Sequence, residues 1–270
     1  MSEMLNNEQR AKRMKQVYIA AVEFLNEIAP AELQEGELNR YFDIQKTFKT
    51  KNEILYRLLA SLQNRGMMSK VLGFENESRQ PIFKSIFFDY DSNTILNTYT
   101  AETLFKCFGQ HFNFGNAESK KNLWYVFAKA AISACEFLKE FNDADDFDKF
   151  VIRFTYNELS AAALPRLLEK EIYGLGFPLA CDFLKEIGYT GYPKPDVHIK
   201  DILCAFDLCD NNDYAAYKAV VEMANVVNET PYKVDKVLWL IGSGNYYYHK
   251  ISIGRNKDKF IQKMKTILSQ

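Results

Sequence analysis

Helical periodicity, broken only by short turns, is the feature that most limits how this chain can fold. Apolar residues recur at spacings of three and four along 8–29, and Pro30 ends the pattern. A second amphipathic segment covers 51–63 and stops near Arg65 and Gly66. Further helical segments follow at 123–141, 145–156, 160–173, 178–188, 195–206, 214–228 and 231–243. Because breaks of roughly two to eight residues suit packed helices, the pattern predicts a compact, mainly α protein.

One stretch departs from this period. The segment 81–99, "PIFKSIFFDYDSNTILNTY", is rich in β-branched and aromatic residues, and "DSN" between its apolar runs is typical of a turn. It predicts either a short β-hairpin near 82–99 or an irregular crossover. Thr100 follows as a helix N-cap, with Glu102 in the first turn opposite the helix dipole.

Composition excludes a disordered chain and argues against a membrane protein. Of the 270 residues, 47% are apolar, enough to build a core. The first residues lack the apolar run of a secretory signal. The most apolar helix, 123–141, carries Lys129, Glu136 and Lys139, so we expect a buried helix rather than a span.

The five cysteines do not have metal-site spacing. Cys204 and Cys209 form C-x4-C, but no second pair or nearby histidine completes a zinc site. We therefore expect no metal, reduced cysteines acting as small apolar residues, and a cytoplasmic protein.

The net charge of −1 does not indicate a nucleic-acid binder, although phosphate contact needs only a local basic face. The tail 249–265 carries six Lys or Arg against one Asp. Such a run is typical of a solvated helix face and also permits DNA binding.

A glycine hairpin is the first candidate site. Gly174 and Gly176 flank Leu175 after one helix, and Pro178 is suited to the first turn of the next, where its missing N–H costs little. Ala180 lets the two helices approach. Free backbone N–H groups at such a turn bind a phosphate without basic side chains. A plain helical turn used only for packing is the alternative.

Asp196 is the second candidate, in "KPDVHIKDIL". It stands before a helix, where its carboxylate faces the positive end of the dipole, and on its own it is typical of a cap. The order of the segments is more informative than the hairpin or Asp196 alone. A hairpin is followed by a helix, a short loop and then Asp196, with His198 two residues later.

These residues resemble the helix–hairpin–helix DNA glycosylase superfamily. The stretch "GLGFPLACDFLKEIGY…DVHIKDIL" is most similar in motif to archaeal-type 8-oxoguanine DNA glycosylases. The resemblance covers roughly 51–245, and it is specific at 174–203 and loose elsewhere. It implies a two-lobed helical body over 46–270, with the site in the cleft between the lobes and residues 1–45 as a helical extension.

The resemblance implies a role for each matched residue. A glycosylase draws its base out of the duplex into a pocket, and cleaving the bond builds positive charge on the sugar. Asp196 would stabilise that charge and activate a water. The phosphate-binding set would be Gly174, Leu175, Gly176, Phe177 and His198. Gln63, Asn64 and Arg65 would lie near the unpaired partner base, although a polar helix end explains them equally well.

Pro178 departs from the family pattern. In glycosylases that also cut the strand, a lysine at the aligned position attacks the sugar and forms a Schiff base. Proline has no amine, so we expect hydrolysis without strand cleavage. A relocated lysine, with Lys185 and Lys194 nearby in sequence, is one alternative, and a non-catalytic DNA-binding protein of the same fold is another.

Two more residues are candidates for a base pocket. Asp182 lies one helical turn after Pro178, where it would accept hydrogen bonds from a base or cap a neighbouring helix. Trp239 could stack on a flipped base, but "VLWLIG" favours a core position. The expected partner is double-stranded DNA with a damaged or modified base, bound by a monomer that needs no cofactor. By resemblance, a monovalent cation could sit at the hairpin.

Overall fold

The computed structural model describes residues 6–33, 36–115 and 119–268, and most of them are helical, which confirms a mainly α fold. The helices assigned in these ranges are α1 (Asn7–Ile28), α2 (Lys51–Leu62), α3 (Met68–Leu72), α4 (Gln80–Ile86), α5 (Ser92–Thr98), α6 (Ala101–His111), α7 (Leu123–Lys139), α8 (Ala144–Arg153), α9 (Glu158–Glu171), α10 (Phe177–Glu186), α11 (Val197–Cys204), α12 (Asp213–Val227), α13 (Pro231–Ser243) and α14 (Lys257–Leu268). Short 3₁₀ turns lie at Glu37–Tyr41, Arg65–Met67, Phe88–Tyr90, Phe154–Tyr156 and Tyr247–His249. Two strands, β1 (Asn245–Tyr246) and β2 (Ile251–Ser252), pair antiparallel with Tyr246 opposite Ile251.

The chain divides into two compact units. Residues 46–187 form what we call the continuous unit, and residues 1–45 together with 188–270 form the split unit. The sequence interpretation separated 1–45 as an extension of a domain over 46–270. In the structure 1–45 instead share a unit with the C-terminal third of the chain.

The split unit is built around α1. Asn6 and Gln9 form a capping box at its start, and the helix ends at Ile28, before Pro30, as the sequence predicts. Its buried face, listed here, contacts α12, α13 and α14: Met14, Val17, Tyr18, Ala21, Phe24 and Leu25. This apolar stripe explains why the first helix belongs to a core shared with α11 to α14.

The continuous unit has an aromatic core on α7. Phe83, Phe108 and Trp124 are buried, and the centroids of their three rings lie within 6.2 Å of one another. Lys129, Glu136 and Lys139 are all exposed, so α7 keeps one charged face outside the core. Within the described ranges no helix is long and apolar enough to cross a membrane.

The predicted β-hairpin near 82–99 is wrong. This stretch folds as α4, a 3₁₀ turn and α5, and the "DSN" sequence begins a helix, because Asp91 is the N-cap and accepts a hydrogen bond from the Thr94 N–H. Phe83 and Phe87, four residues apart, are both buried. This helical burial in the aromatic core outweighs the β preference of the individual residues. Thr100 caps α6 as predicted, with Glu102 in its first turn.

Candidate functional site

The glycine hairpin forms as predicted, in the continuous unit. Helix α9 ends at Glu171, Gly174 has a φ of 84°, and Gly176 is the N-cap of α10 without any side-chain cap. Leu175 and Phe177 are buried, so their side chains anchor the hairpin. The N–H of Leu175 donates to the carbonyl of Ile172 at 3.2 Å. Positive φ at Gly174 is the conformation that glycine permits and most residues resist.

The hairpin amides are only partly occupied. The N–H groups of Gly174 and Gly176 donate no hydrogen bond to any described residue. The N–H of Phe177 donates to Oε1 of Glu169 at 3.3 Å, and Oε2 of Glu169 accepts from Arg166 at 2.8 Å. A carboxylate therefore already lies at the start of α10, in the place where an anion is stabilised by the helix N-terminus. Sequence reasoning missed Glu169.

A groove of about 420 Å³ opens beside the hairpin. Its lining comprises Asn64, Arg65, Gly66, Glu169, Gly174, Leu175, Gly176, Pro178 and Leu179. The structure thus brings the predicted residues Asn64 and Arg65 next to the predicted phosphate-binding hairpin, although they are far apart in sequence.

Two cations flank the hairpin. The Arg65 guanidinium carbon lies 5.6 Å from the centre of the Tyr173 ring, and Nζ of Lys129 lies 4.1 Å from the same centre. Tyr173 is 38% exposed. Arg65, Lys129 and Tyr173 together supply positive charge and an aromatic surface of the kind that contacts nucleic-acid backbones and bases. No local sequence pattern indicates Lys129, which comes from α7.

Gln63 does not fit its predicted role near an unpaired base. It is only 2% exposed, its Oε1 accepts from the N–H of Phe74 at 3.0 Å, and its Nε2 donates to Glu75 at 2.6 Å. These bonds fix the turn after α3. The amide is occupied inside the protein at the C-terminal end of α2, which agrees with the alternative of a polar helix end.

Asp182 contacts a neighbouring helix of the continuous unit. It is buried, Oδ2 accepts from Oγ of Ser61 at 2.9 Å, and the same oxygen lies 3.3 Å from Nη2 of Arg57. Ser61 and Arg57 belong to α2, so Asp182 joins α10 to α2. The alternative in which this acid serves a neighbouring helix is closer to what the structure contains than a contact with a base.

Pro178 occupies the second position of α10 and lines the groove, where it offers no amine. Of the lysines near it in sequence, Lys185 is 3% exposed and its Nζ lies 4.0 Å from Glu186. Lys185 is thus a buried lysine that is absent from the lining of the groove beside the hairpin.

Asp196 caps α11 in the split unit. Its Oδ1 accepts from the N–H groups of His198 at 2.9 Å and Ile199 at 3.1 Å, which confirms the predicted N-cap. Oδ2 accepts no hydrogen bond from the described residues, and the side chain is half-buried. The backbone therefore fixes one oxygen and leaves the other available for chemistry.

His198 is half-buried in the same turn. Burial lowers its pKa, against the attraction of Asp196, and the positive charges of Lys257 and Arg255 lower it further. Its Nδ1 is buried without a hydrogen-bond partner among the described residues. The imidazole is thus neutral near pH 7 and stands among basic residues from the C-terminal tail, which no local sequence pattern associates with it.

Trp239 lies at the edge of the split unit's core, partly buried. Its ring meets that of Tyr247 edge-on with centroids 5.9 Å apart, and Nζ of the buried Lys236 lies 5.7 Å from its centre. Packing of this kind agrees with the core position that the sequence favoured.

The described residues contain no cluster of three His, Cys, Asp or Glu able to hold a metal. At the hairpin, the carbonyl groups of Ile172 and Gly176 already accept backbone hydrogen bonds, so a monovalent cation there would have to share them. Comparison of the whole chain with models of protein families, with curated proteins and with solved structures finds no match.

Proposed function

We propose that this protein is a DNA glycosylase that hydrolyses the N-glycosidic bond of a damaged or modified base in double-stranded DNA and leaves the strand uncut. The observation that carries the proposal is the hairpin, with Gly174 in a positive-φ turn and Arg65 in the same groove. The amides of Gly174 and Gly176 there donate to none of the residues that the structure describes. Backbone amides beside a helix N-terminus are suited to a DNA phosphate.

Asp196 supplies the chemistry in this proposal. The amides of His198 and Ile199 hold one carboxylate oxygen, and the negative charge on the other stabilises the cationic sugar that forms as the base departs. The same oxygen can accept a proton from the attacking water. His198, with Arg255 and Lys257 near it, adds a surface for a backbone phosphate.

Pro178 favours hydrolysis over strand cleavage. A Schiff base requires an uncharged amine that reaches the sugar, and position 178 cannot provide one. Lys185, the lysine that follows in α10, is buried beside Glu186. We further propose that the protein acts as a monomer, and that it is cytoplasmic, since no disulfide joins its five cysteines, all of which lie in the described ranges.

The test uses duplexes that each carry one altered base: 8-oxoguanine, uracil, hypoxanthine or 3-methyladenine. After incubation, each sample is divided and one half is treated with alkali, which cuts the strand wherever a base has been removed. The proposal predicts cleavage of at least one duplex only after alkali, and guanine-type lesions are the first expectation by resemblance.

Two variants separate catalysis from helix capping. Asn is as good an N-cap as Asp, so Asp196→Asn should keep the fold while losing base release by at least a hundredfold. Asp143→Asn makes the same change at the N-cap of α8 and should retain full activity. The proposal is contradicted if Asp196→Asn still releases the base. It is also contradicted if the unmodified protein releases no base from any of the duplexes. Strand cleavage without alkali, with a borohydride-trapped adduct, would show a relocated lysine.

A further inference from the structure

Two of the five cysteines lie against each other in the split unit, and the proposed glycosylase chemistry uses neither. Cys204 is the last residue of α11, and Cys209 stands in the turn before α12. Their Sγ atoms are 3.6 Å apart, so forming a disulfide of about 2.0 Å requires only a small side-chain rotation. Both side chains are partly exposed, so a small oxidant can reach them.

The backbone turn between the two cysteines keeps their sulfur atoms together. Asp207 has a φ of 56°, which reverses the chain, and the N–H of Leu208 donates to the carbonyl of Leu203 at 3.0 Å. Leu203 and Leu208 are both fully buried and anchor the turn in the core. Since Cys204 directly follows Leu203 and Cys209 directly follows Leu208, the hydrogen-bonded leucines fix both cysteines.

Helix α1 holds this turn from outside. Nη2 of Arg10 donates to the carbonyl of Leu208 at 2.6 Å, and Nη1 of Arg13 donates to the carbonyl of Phe206 at 3.4 Å. The two thiols are therefore brought together by the folded unit as well as by their spacing in the sequence. Groups held close in this way react with each other far faster than separate molecules do.

The protonation of Cys209 suits it to the second step of such a reaction. Burial, and then the contact with Cys204, raise the pKa of the Cys209 thiol to about 12, while Arg10 acts to lower it. The thiolate is the nucleophilic form of cysteine, so Cys209 keeps its proton near pH 7 and reacts slowly on its own. That proton becomes useful once the neighbouring sulfur carries an oxygen that must leave as water.

We propose that Cys204 and Cys209 form a site of reversible oxidation, at which a hydroperoxide converts the two thiols into a disulfide and a dithiol reduces it again. The sulfur of Cys204 attacks the terminal oxygen of the hydroperoxide and breaks the O–O bond. This step gives a sulfenic acid and releases water or an alcohol, which takes the thiol proton. The sulfur of Cys209 then attacks that of Cys204, the S–O bond breaks, and the oxygen leaves as water with the proton of Cys209.

Two electrons pass from the sulfur atoms to the peroxide, and the product is a covalent link across the C-terminal end of α11. The proposal does not rest on the glycosylase activity, because the cysteines and their turn are observed independently of the hairpin and Asp196.

The test treats the full, reduced chain with hydrogen peroxide and stops the reaction at intervals with an alkylating reagent. Thiol titration and mass spectrometry of the peptides then follow each cysteine. The expected product has lost the thiols of Cys204 and Cys209 together, and a peptide that contains both is lighter by two hydrogen atoms. Dithiothreitol should restore both thiols. Disulfide formation should be at least about tenfold faster than oxidation of Cys107, which is also partly exposed but lies against the hydroxyl of Tyr99 rather than a thiol.

Three serine variants complete the test. Cys204→Ser and Cys209→Ser should each abolish the disulfide, whereas Cys107→Ser, the matched control, should form it at the rate of the unmodified protein. The proposal is overturned if peroxide oxidises Cys107 as fast as it oxidises the pair, or if the disulfides that form join other cysteines or separate chains. It is also overturned if Cys107→Ser loses the disulfide. The peptide masses of the unmodified protein decide the question even if a variant fails to fold.

Discussion

Gly242 lies directly against His198. A Cβ atom at position 242 would come within 2.4 Å of the Cβ of His198 and 3.0 Å of its Nδ1. Helices α13 and α11 therefore approach so closely at this point that only glycine fits. Since Asp196 caps α11, this contact fixes the helix that carries both candidate residues.

Gly242→Ala should destabilise the protein. Alanine improves helix propensity, but the clash with His198 must be relieved by moving α11, at a cost of roughly 1–3 kcal/mol, as expected for overpacking. Gly191→Ala is the control, since a Cβ there meets nothing within 4 Å, and it should change the free energy of unfolding by less than about 0.5 kcal/mol. Urea denaturation measures the free energy of unfolding of both variants and of the unmodified protein. Equal stabilities would mean that the helices have room to separate.

The lowered pKa of His198 should make stability depend on pH. In the unfolded chain this histidine has a pKa near its ordinary value of about 6.5, and in the folded protein burial places it lower. The unfolded state therefore binds the proton first, so the stability contributed here is present above that pH and is lost as the pH falls through the folded pKa.

A His198→Asn variant isolates this effect. The difference in melting temperature between the unmodified protein and the variant should narrow as the pH is lowered from 7.5 to 5. Only the unmodified protein loses the stability that neutral His198 contributes. An NMR titration of the imidazole gives the pKa directly. Parallel curves for the two proteins would show that burial does not depress it.

Most helices could be predicted because the information is local. The apolar spacing and Pro30 predict α1, and Thr100 and Asp196 are found at the N-caps that the sequence indicates. The prediction of a hairpin at 82–99 was wrong because the information that decides its structure is not local. Its aromatic residues are equally compatible with strand and helix, and the choice depends on an aromatic core that includes Trp124, far along the chain.

The candidate site was predictable only in part, again because of distance along the chain. The hairpin conformation follows from Gly174 itself. Lys129 and Glu169 reach the hairpin region through helix packing, and no spacing rule links them to it. For Gln63 the sequence left a polar helix end and a place near a base equally open, because its partner, the N–H of Phe74, lies eleven residues further along the chain.

Asp182→Ala should be strongly destabilising. Burial acts to lower the pKa of Arg57, but the charge of Asp182 outweighs it together with Glu186 and Glu75, so removing Asp182 deprives a largely desolvated guanidinium of its strongest acidic neighbour. A loss of about 2–4 kcal/mol is expected, since breaking a buried pair is costly. Lys84→Ala, which breaks the exposed pair with Asp89, should cost less than about 0.5 kcal/mol. Similar losses for the two variants would argue against a buried ion pair.

The two hairpin glycines should respond differently to alanine. Gly174→Ala forces a side chain into positive φ and places its Cβ 3.0 Å from Nη1 of Arg65, so we expect a loss of about 1–2 kcal/mol. If the hairpin amides hold a phosphate, affinity for lesion-free duplex at low salt should also fall by about tenfold, as expected for loss of a bond to a charged group.

Gly176→Ala provides the comparison within the same turn. Its φ is −69°, and its Cβ would meet only Cδ of Pro178, at 4.0 Å. A poorer N-cap and a less flexible unfolded chain offset each other, so the free energy of unfolding should change by about 0.5 kcal/mol or less. Equal loss of DNA affinity in the two variants, measured by fluorescence anisotropy, would contradict a role for the Gly174 conformation.

Pro178→Lys should introduce strand cleavage if the proposed function is correct. Position 178 lines the groove and is the second residue of α10, where proline contributes no hydrogen bond, so lysine should be tolerated at a cost of about 0.3–1 kcal/mol for a cation near the helix N-terminus. A lysine amine there would stand at the position aligned with the lysine that attacks the sugar in the strand-cutting glycosylases that the hairpin resembles. Borohydride should then trap a covalent protein–DNA adduct with any duplex from which the unmodified protein releases a base. Leu179→Lys places an amine about 100° further around the helix in the same groove, so a comparison of the two variants shows whether the adduct depends on position 178. If Pro178→Lys still releases the base but forms no adduct, position 178 does not face the sugar, and the reason inferred here for hydrolysis without cleavage is wrong.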